Sequence, residues 1–165
     1  MHMSTNSRFA VAIHTLAFLG FAEQSLAGLT SSEMIAGSVN TNPVVIRRLL
    51  GLLRRAGLVV SQPGSGDGWR LAREAGEITL AEVYQAIREG PLFALPSRPP
   101  DRHCLVGRNV QHALEPFFEH AEAALQQSLA QATIDDVIRQ VKAQFDEVCH
   151  EHQSLPLLDH HRSMN

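Results

Sequence analysis

Between Asn42 and Gly57 the chain specifies a helix with both ends marked and both faces assigned. Asn42-Pro43 supplies a capping side chain, then a proline whose missing N–H costs nothing in a first turn. Ile46, Leu49, Leu50 and Leu53 recur at i, i+3, i+4 and i+7 and form one apolar stripe. Arg47, Arg48, Gly51, Arg54 and Arg55 occupy the remaining surface, and Gly57 stands where a left-handed C-terminal residue belongs. Upstream, the spacing predicts a helix over 31–38 and a tight turn at Val39-Asn40-Thr41, which together make a helix-turn-helix. Downstream, Leu58–Ser61 and Trp69–Leu71 read as short strands joined by Pro63-Gly64-Ser65-Gly66-Asp67-Gly68, a hairpin tip too glycine-rich for anything but a loop.

Three further helix starts carry a hydroxyl followed three residues later by a carboxylate: Thr30-x-x-Glu33, Thr79-x-x-Glu82 and Thr133-x-x-Asp136. Helices are therefore expected at 7–23, 31–38, 43–56, 80–88, 109–132 and 134–149. Helix 109–132 repeats Val110, Leu114, Phe117, Ala121, Leu125 and Ser128 at spacings of three and four. It is polar on its other face, so it needs a partner surface, and a second copy of itself is the simplest supply. Pro116 should kink it or mark its true first turn. The expected organisation is a winged helix-turn-helix over 1–90, a proline-rich sensor loop over 91–108, dimerisation helices over 109–150 and a tail over 151–165. The fold class is mainly α with a small β-wing.

Charge assigns the front half a partner. Residues 1–73 hold seven arginines against Glu23, Glu33 and Asp67, a net +4, whereas 74–165 hold seven bases against fourteen acids, a net −7. A basic unit joined to an acidic one reads as a polyanion binder carried by something else. If the second helix enters a major groove N-terminus first, Thr41, Asn42, Val44, Arg47 and Arg48 meet base edges and flanking phosphates. Arginine forks onto guanine, and valine meets a thymine methyl. Gly64, Ser65, Gly66 and Trp69 bring the wing close to the backbone or minor groove, and Arg8 and Arg70 supply phosphate contacts. The plainer reading is a helical hairpin with solvated arginines, or a winged helix that grips an acidic protein partner.

Phe9–Ala22 is apolar but interrupted by His14 and Thr15, and it falls short of the roughly 20 residues of a membrane span. Ser25-Leu26-Ala27 after it imitates a signal-peptide cleavage site, yet cleavage there would remove a helix that the next segment needs. A cytoplasmic protein with no membrane partner is expected. No phosphate loop or nucleophile elbow is present, so an enzyme is not expected.

The block from Asn40 to Leu80, "NTNPVVIRRLLGLLRRAGLVVSQPGSGDGWRLA" and then "ITL", resembles the bacterial Rrf-two family of winged-helix transcription regulators. The likeness runs from about Ser7 to Val141. The resemblance implies a homodimer joined by the long helix, a pseudo-palindromic double-stranded operator and a repressor role. It places the DNA-reading positions on Asn42, Val44, Arg47 and Arg48 and the wing on Gly64–Arg70. Asp67 departs from the family, which has a glycine there, and an acid faces phosphate unfavourably.

Members that bind an iron–sulfur cluster carry three loop cysteines; this chain has Cys104 alone, in "HCLVGRNVQ", and is most similar to a subset with one loop cysteine. A cluster takes about four ligands, nearly all thiolates, so no cofactor is expected. Cys104, beside Arg102, His103 and Arg108 and just ahead of a helix N-terminus, is the candidate redox sensor, because dipole and cations both favour thiolate. Its partner on oxidation is a second Cys104 or Cys149. An unreactive loop thiol is the plainer reading. Cys149-His150-x-His152, with His160-His161 beyond, offers metal ligands in a tail, which keeps metal or small-ligand sensing as an alternative.

Overall fold

The computed structural model describes residues 5–25, 30–62, 68–96, 98, 100, 101 and 103–153, and side chains from 7 to 24 and up to 145 within them. Helix α1 (Thr5–Ser25) is followed by α2 (Ser32–Val39), α3 (Pro43–Arg55), an antiparallel pair β1 (Val59–Gln62) and β2 (Gly68–Leu71), α4 (Leu80–Ile87), α5 (Leu105–Leu129) and α6 (Ile134–Gln153). A single 3-10 turn, Ala75–Glu77, links β2 to α4.

One core joins these elements. Leu16 and Leu19 of α1, Ile35 of α2, Ile46, Leu50 and Leu53 of α3, Leu58, Val59 and Leu71 of the hairpin, and Val83 and Ile87 of α4 are buried together. The stripe expected on α3 is that core face, with Leu49 included. Ile134 and Ile138 in the first turns of α6 join the same core, so α6 folds back onto the N-terminal half. There α1 presents Gly20: a Cβ at this position would stand 2.8 Å from Ile138 Cδ1 and 3.2 Å from Leu71 Cδ1. Only a residue without a side chain lets α1, β2 and α6 approach this closely.

Helix ends follow the expected chemistry with one shift. Asn42 caps α3 by accepting from the Val44 N–H at 2.8 Å. Gly57 is left-handed at φ 71°, and its N–H and that of Leu58 bond to Arg54 O and Leu53 O, closing α3 with a Schellman turn. Asn40, at φ 55°, does the same for α2: its N–H reaches Gly37 O and that of Thr41 reaches Ala36 O. Thr79–Glu82 and Thr133–Asp136 are reciprocal capping boxes. At α2, however, Ser31 is the cap and accepts from the Met34 N–H. Thr30 is instead buried, and its backbone exchanges hydrogen bonds with Trp69 of β2, tying the hairpin to the start of α2.

Helix α5 begins at Leu105, a full turn before the expected 109, and Pro116 lies well inside it. Its N-terminus escaped sequence reading because the cap position is Cys104, which makes no side-chain capping hydrogen bond. No residue of α5 is buried. Leu105, Val106 and Phe117 are 70%, 68% and 72% exposed, and Val141 and Phe145 of α6 are 55% and 68% exposed.

Candidate nucleic-acid interface

The surface of α3 is set by its two ends and its stripe. With Ile46, Leu49, Leu50 and Leu53 turned into the core, the helix must show Val44, Arg47 and Arg48 to solvent. Val44 is an apolar side chain left 64% exposed by the described residues. Arg48 is exposed and makes no hydrogen bond or ion pair with the described residues. Asn42 is exposed as well, but its Oδ1 is committed to the Val44 N–H, which leaves the amide NH2 to face a ligand. Thr41 is half-buried within the turn.

Arg47 is held. Its Nε donates to Ser32 Oγ at 3.2 Å and its Nη2 to Glu33 Oε1, both in the first turn of α2. Glu33 completes the arrangement by accepting from Ser32 Oγ at 3.2 Å. The Glu33 backbone N–H and then the Arg47 guanidinium hold the carboxyl below the usual carboxylate range, so it is ionised at neutral pH. Sequence reasoning took Glu33 for half of a capping box and missed this contact. It depends on how α2 crosses α3, which no spacing within either helix records.

Arg8 also has a partner. Its two terminal nitrogens donate to the two carboxylate oxygens of Glu89 at 2.6 and 2.8 Å, pinning the start of α1 to the segment after α4. Arg8 stands on the wall of an open groove of about 680 Å³ between α1 and α3, lined also by Arg47, Arg48, Gly51, Arg55 and Glu89. Arg8 and Arg47 are paired with Glu89 and Glu33, and the remaining Arg48 and Arg55 make this face cationic. Arg70 is exposed on β2, and half-buried Trp69 lies opposite Ser61 with its indole Nε1 buried and unpartnered among the described residues. Gly64, Ser65 and Gly66, the expected wing tip, and Asp67 lie outside the described residues.

Cys104 caps α5 and is exposed. Its thiol closes no capping hydrogen bond, yet the first-turn N–H groups of Gly107 and then Val106 face it and lower its pKa from the ordinary cysteine value. The expected dipole effect thus acts through named amides of the first turn, and Arg102 lies outside the described residues. Asp101 arranges the approach: its Oδ1 accepts from the His103 N–H at 2.9 Å, and its carbonyl oxygen passes 2.4 Å from where a Cβ on Gly107 would stand. The Cys149 side chain and His160-His161 lie outside the described residues. His14, on α1, is hydrogen-bonded to Ser38 Oγ at 2.8 Å.

No helix among the described residues is long and apolar enough to cross a membrane. The iron–sulfur donor set does not fit: the whole chain has two cysteines, and Cys104 stands on an exposed helix cap with no group of three potential metal ligands among the described residues.

Residues 5–140 match the family model Rrf2, described as "Iron-dependent Transcriptional regulator". The chain is 42% identical over 134 residues to YwnA of Bacillus subtilis (strain 168), assigned as an HTH-type transcriptional regulator; the match covers 81% of this chain and 96% of YwnA. It is 28% identical over 139 residues to the HTH-type transcriptional regulator IscR of Cereibacter sphaeroides, covering 84% and 88% of the two chains. A crystal structure assigned as a DNA-binding protein superposes with a TM-score of 0.64 at 39% identity, over 79% of this chain and 98% of that one. With more than four-fifths of its length inside one family model, and a helix-turn-helix followed by a two-stranded wing, the chain belongs to the Rrf2 family of transcriptional regulators.

Proposed function

We propose that the protein is a homodimeric repressor that binds a pseudo-palindromic duplex through α3 and is switched by oxidation of Cys104. The observation that carries the DNA reading is the solvent face of α3, where exposed Val44 and Arg48 stand beside Arg47 at the N-terminal end of a cationic groove. An α-helix fits the major groove, and this face offers both a guanidinium for guanine and an apolar side chain for a thymine methyl. Asn42, Arg70 and the wing supply the flanking contacts, and Arg8 reaches phosphate only by sharing or leaving Glu89. The exposed Leu105, Val106 and Phe117 on a helix with no buried residue support pairing of α5 with a second copy. Two recognition helices then fall about one helical turn apart, roughly 34–36 Å.

For the switch, the Cys104 thiolate attacks a peroxide oxygen, the O–O bond breaks, hydroxide or alkoxide leaves, and the sulfur becomes a sulfenic acid. Attack by a second thiol, Cys149 or the Cys104 of another copy, expels water and leaves a disulfide. The test is fluorescence anisotropy with the duplex upstream of the protein's own gene and with scrambled duplex, in reductant and after mild peroxide, across a salt series. Expected are preferential binding of the upstream duplex, a log–log salt slope of about −0.9 per phosphate neutralised, and a change on oxidation that Cys104→Ser abolishes. A persistent response in Cys104→Ser would remove the thiol from the switch. Binding that ignores both sequence and salt would assign the winged helix to a protein partner.

A further inference from the structure

We propose that Glu33, outside α3, determines how sharply this protein discriminates between DNA sequences, by holding Arg47 in one orientation and cancelling its attraction to phosphate. The inference rests on the reading of α3 as the recognition helix.

The geometry is a closed ring of three side chains. Arg47 Nε donates to Ser32 Oγ at 3.2 Å, Ser32 Oγ donates to Glu33 Oε2 at 3.2 Å, and Glu33 Oε1 accepts from Arg47 Nη2. Ser32 is fully buried, so the ring is anchored to the body of the protein at one corner. Arg47 and Glu33 keep about half of their side-chain surface in solvent, 48% and 53%, so the other two corners face a ligand laid on α3.

Two consequences follow. A free arginine samples many rotamers and pays to order them on binding a base; one edge-bonded to Ser32 and Glu33 has paid already. Preorganisation of this kind favours the one base geometry that matches and gives nothing to the others. The second consequence is electrostatic. Non-specific affinity comes almost wholly from lysine and arginine displacing counterions from phosphates. An arginine paired with a half-exposed carboxylate displaces fewer of them. Both effects leave matched DNA bound while weakening the grip on all other DNA, so the ratio of the two affinities rises.

The roles can be separated by substitution. Glu33→Gln keeps an oxygen for Arg47 and removes the charge, while Glu33→Ala removes both; neither touches the α2 cap, which is Ser31. Wild-type full-length protein is first used to select duplexes from a randomised pool. Dissociation constants for the best selected duplex and for its scrambled counterpart are then measured from low to high salt for wild type, Glu33→Gln, Glu33→Ala, Arg47→Ala and the Glu33→Gln/Arg47→Ala double variant. In Glu33→Gln the scrambled duplex should bind more tightly with a salt slope steeper by about 0.9, and the selected-to-scrambled ratio should fall roughly five- to tenfold. Glu33→Ala should lower the ratio further by weakening the selected duplex. With Arg47 absent, Glu33→Gln should no longer change the ratio by more than about twofold, which an unspecific folding effect of Glu33 would not produce. An unchanged ratio in both Glu33 variants overturns the proposal while leaving α3 as the recognition helix. Failure of the wild type to enrich any sequence overturns that reading of α3 and this proposal with it.

Discussion

Gly107→Ala reports on the Cys104 cap with little interference from the rest of the fold. A Cβ at Gly107 would stand 2.4 Å from the Asp101 carbonyl oxygen and 3.3 Å from its carbonyl carbon. A carbon–oxygen contact rests at roughly 3.3–3.6 Å, so the Asp101 carbonyl must retreat by about 1 Å. The obstruction is backbone, and no rotamer change relieves it. Overpacking of this kind costs about 1–3 kcal/mol in a closed core; here Asp101 is exposed and the core is distant, so the cost should be about 1 kcal/mol. The functional effect should exceed the stability effect. As Asp101 moves, its Oδ1 draws the His103 N–H with it, and Cys104 shifts off the Gly107 and Val106 amides that favour its thiolate. The assay is the pH dependence of Cys104 alkylation by iodoacetamide, followed by intact mass in a Cys149→Ser background. Wild type should titrate below the ordinary thiol value of about 8.5, and Gly107→Ala should move the midpoint upward toward it. At neutral pH the variant then alkylates more slowly, while its melting temperature changes by only a few degrees. An unchanged alkylation profile would refute the claim that these amides set the reactivity.

Two other glycines should respond with opposite signs in thermal or urea unfolding. Gly51→Ala on α3 adds a methyl whose nearest neighbour is Arg55 Nη1 at 3.9 Å, so improved helix propensity should stabilise by about 0.5–1 kcal/mol. Gly20→Ala drives a methyl against buried Ile138 and Leu71 and should destabilise by about 1–3 kcal/mol. Replacing Phe117 by Lys removes the largest exposed apolar group of α5; if α5 pairs with a second copy as proposed, light scattering should show dimer for wild type and monomer for the variant, with DNA affinity reduced and the far-ultraviolet spectrum retained. The Thr133 hydroxyl and then its backbone N–H hold the Asp136 carboxyl below its ordinary value. A depressed carboxylate stabilises the fold above its unfolded pKa of about 3.9, and that contribution is lost as pH falls through the lower folded value. Asp136→Asn should therefore flatten the dependence of stability on pH below about pH 4 and leave its shape near neutrality unchanged.

What could be read from the sequence was local. The α3 stripe, the Asn42 and Gly57 ends, and the Thr79 and Thr133 boxes are each fixed by residues within about two helical turns of one another, and each forms as expected. Wherever two elements meet, spacing carried no signal. Thr30 looked like a cap and is instead a backbone partner of Trp69, thirty-nine residues away in the chain. Arg8, expected at phosphate, also bonds Glu89, and Arg47 shares Glu33 with Ser32, pairings that no spacing shows. Candidate DNA contacts were therefore legible as residue types on a helix face, while their charge partners were not. The start of α5 was lost for a different reason. Its cap is a cysteine, a residue that ordinary capping preferences do not flag.

The two capping boxes stand side by side, since Thr79 bridges Thr133, the Leu80 N–H bonds to Ala132 O, and the Ile134 N–H bonds to Ile78 O. The chain therefore leaves the body after α4 and is stapled back to it at the foot of α6, which makes Arg88 to Ala132 an excursion with a common root. Among the described residues its start is also tied to α1 by the Arg8–Glu89 ion pair, and the Arg88–Glu122 pair joins that start to α5 far from Cys104. If Cys104 at the far end of α5 switches DNA binding in a dimer, as proposed, its effect must pass through the angle at this root, where two crossed levers would turn a small local change into a change of span between reading heads.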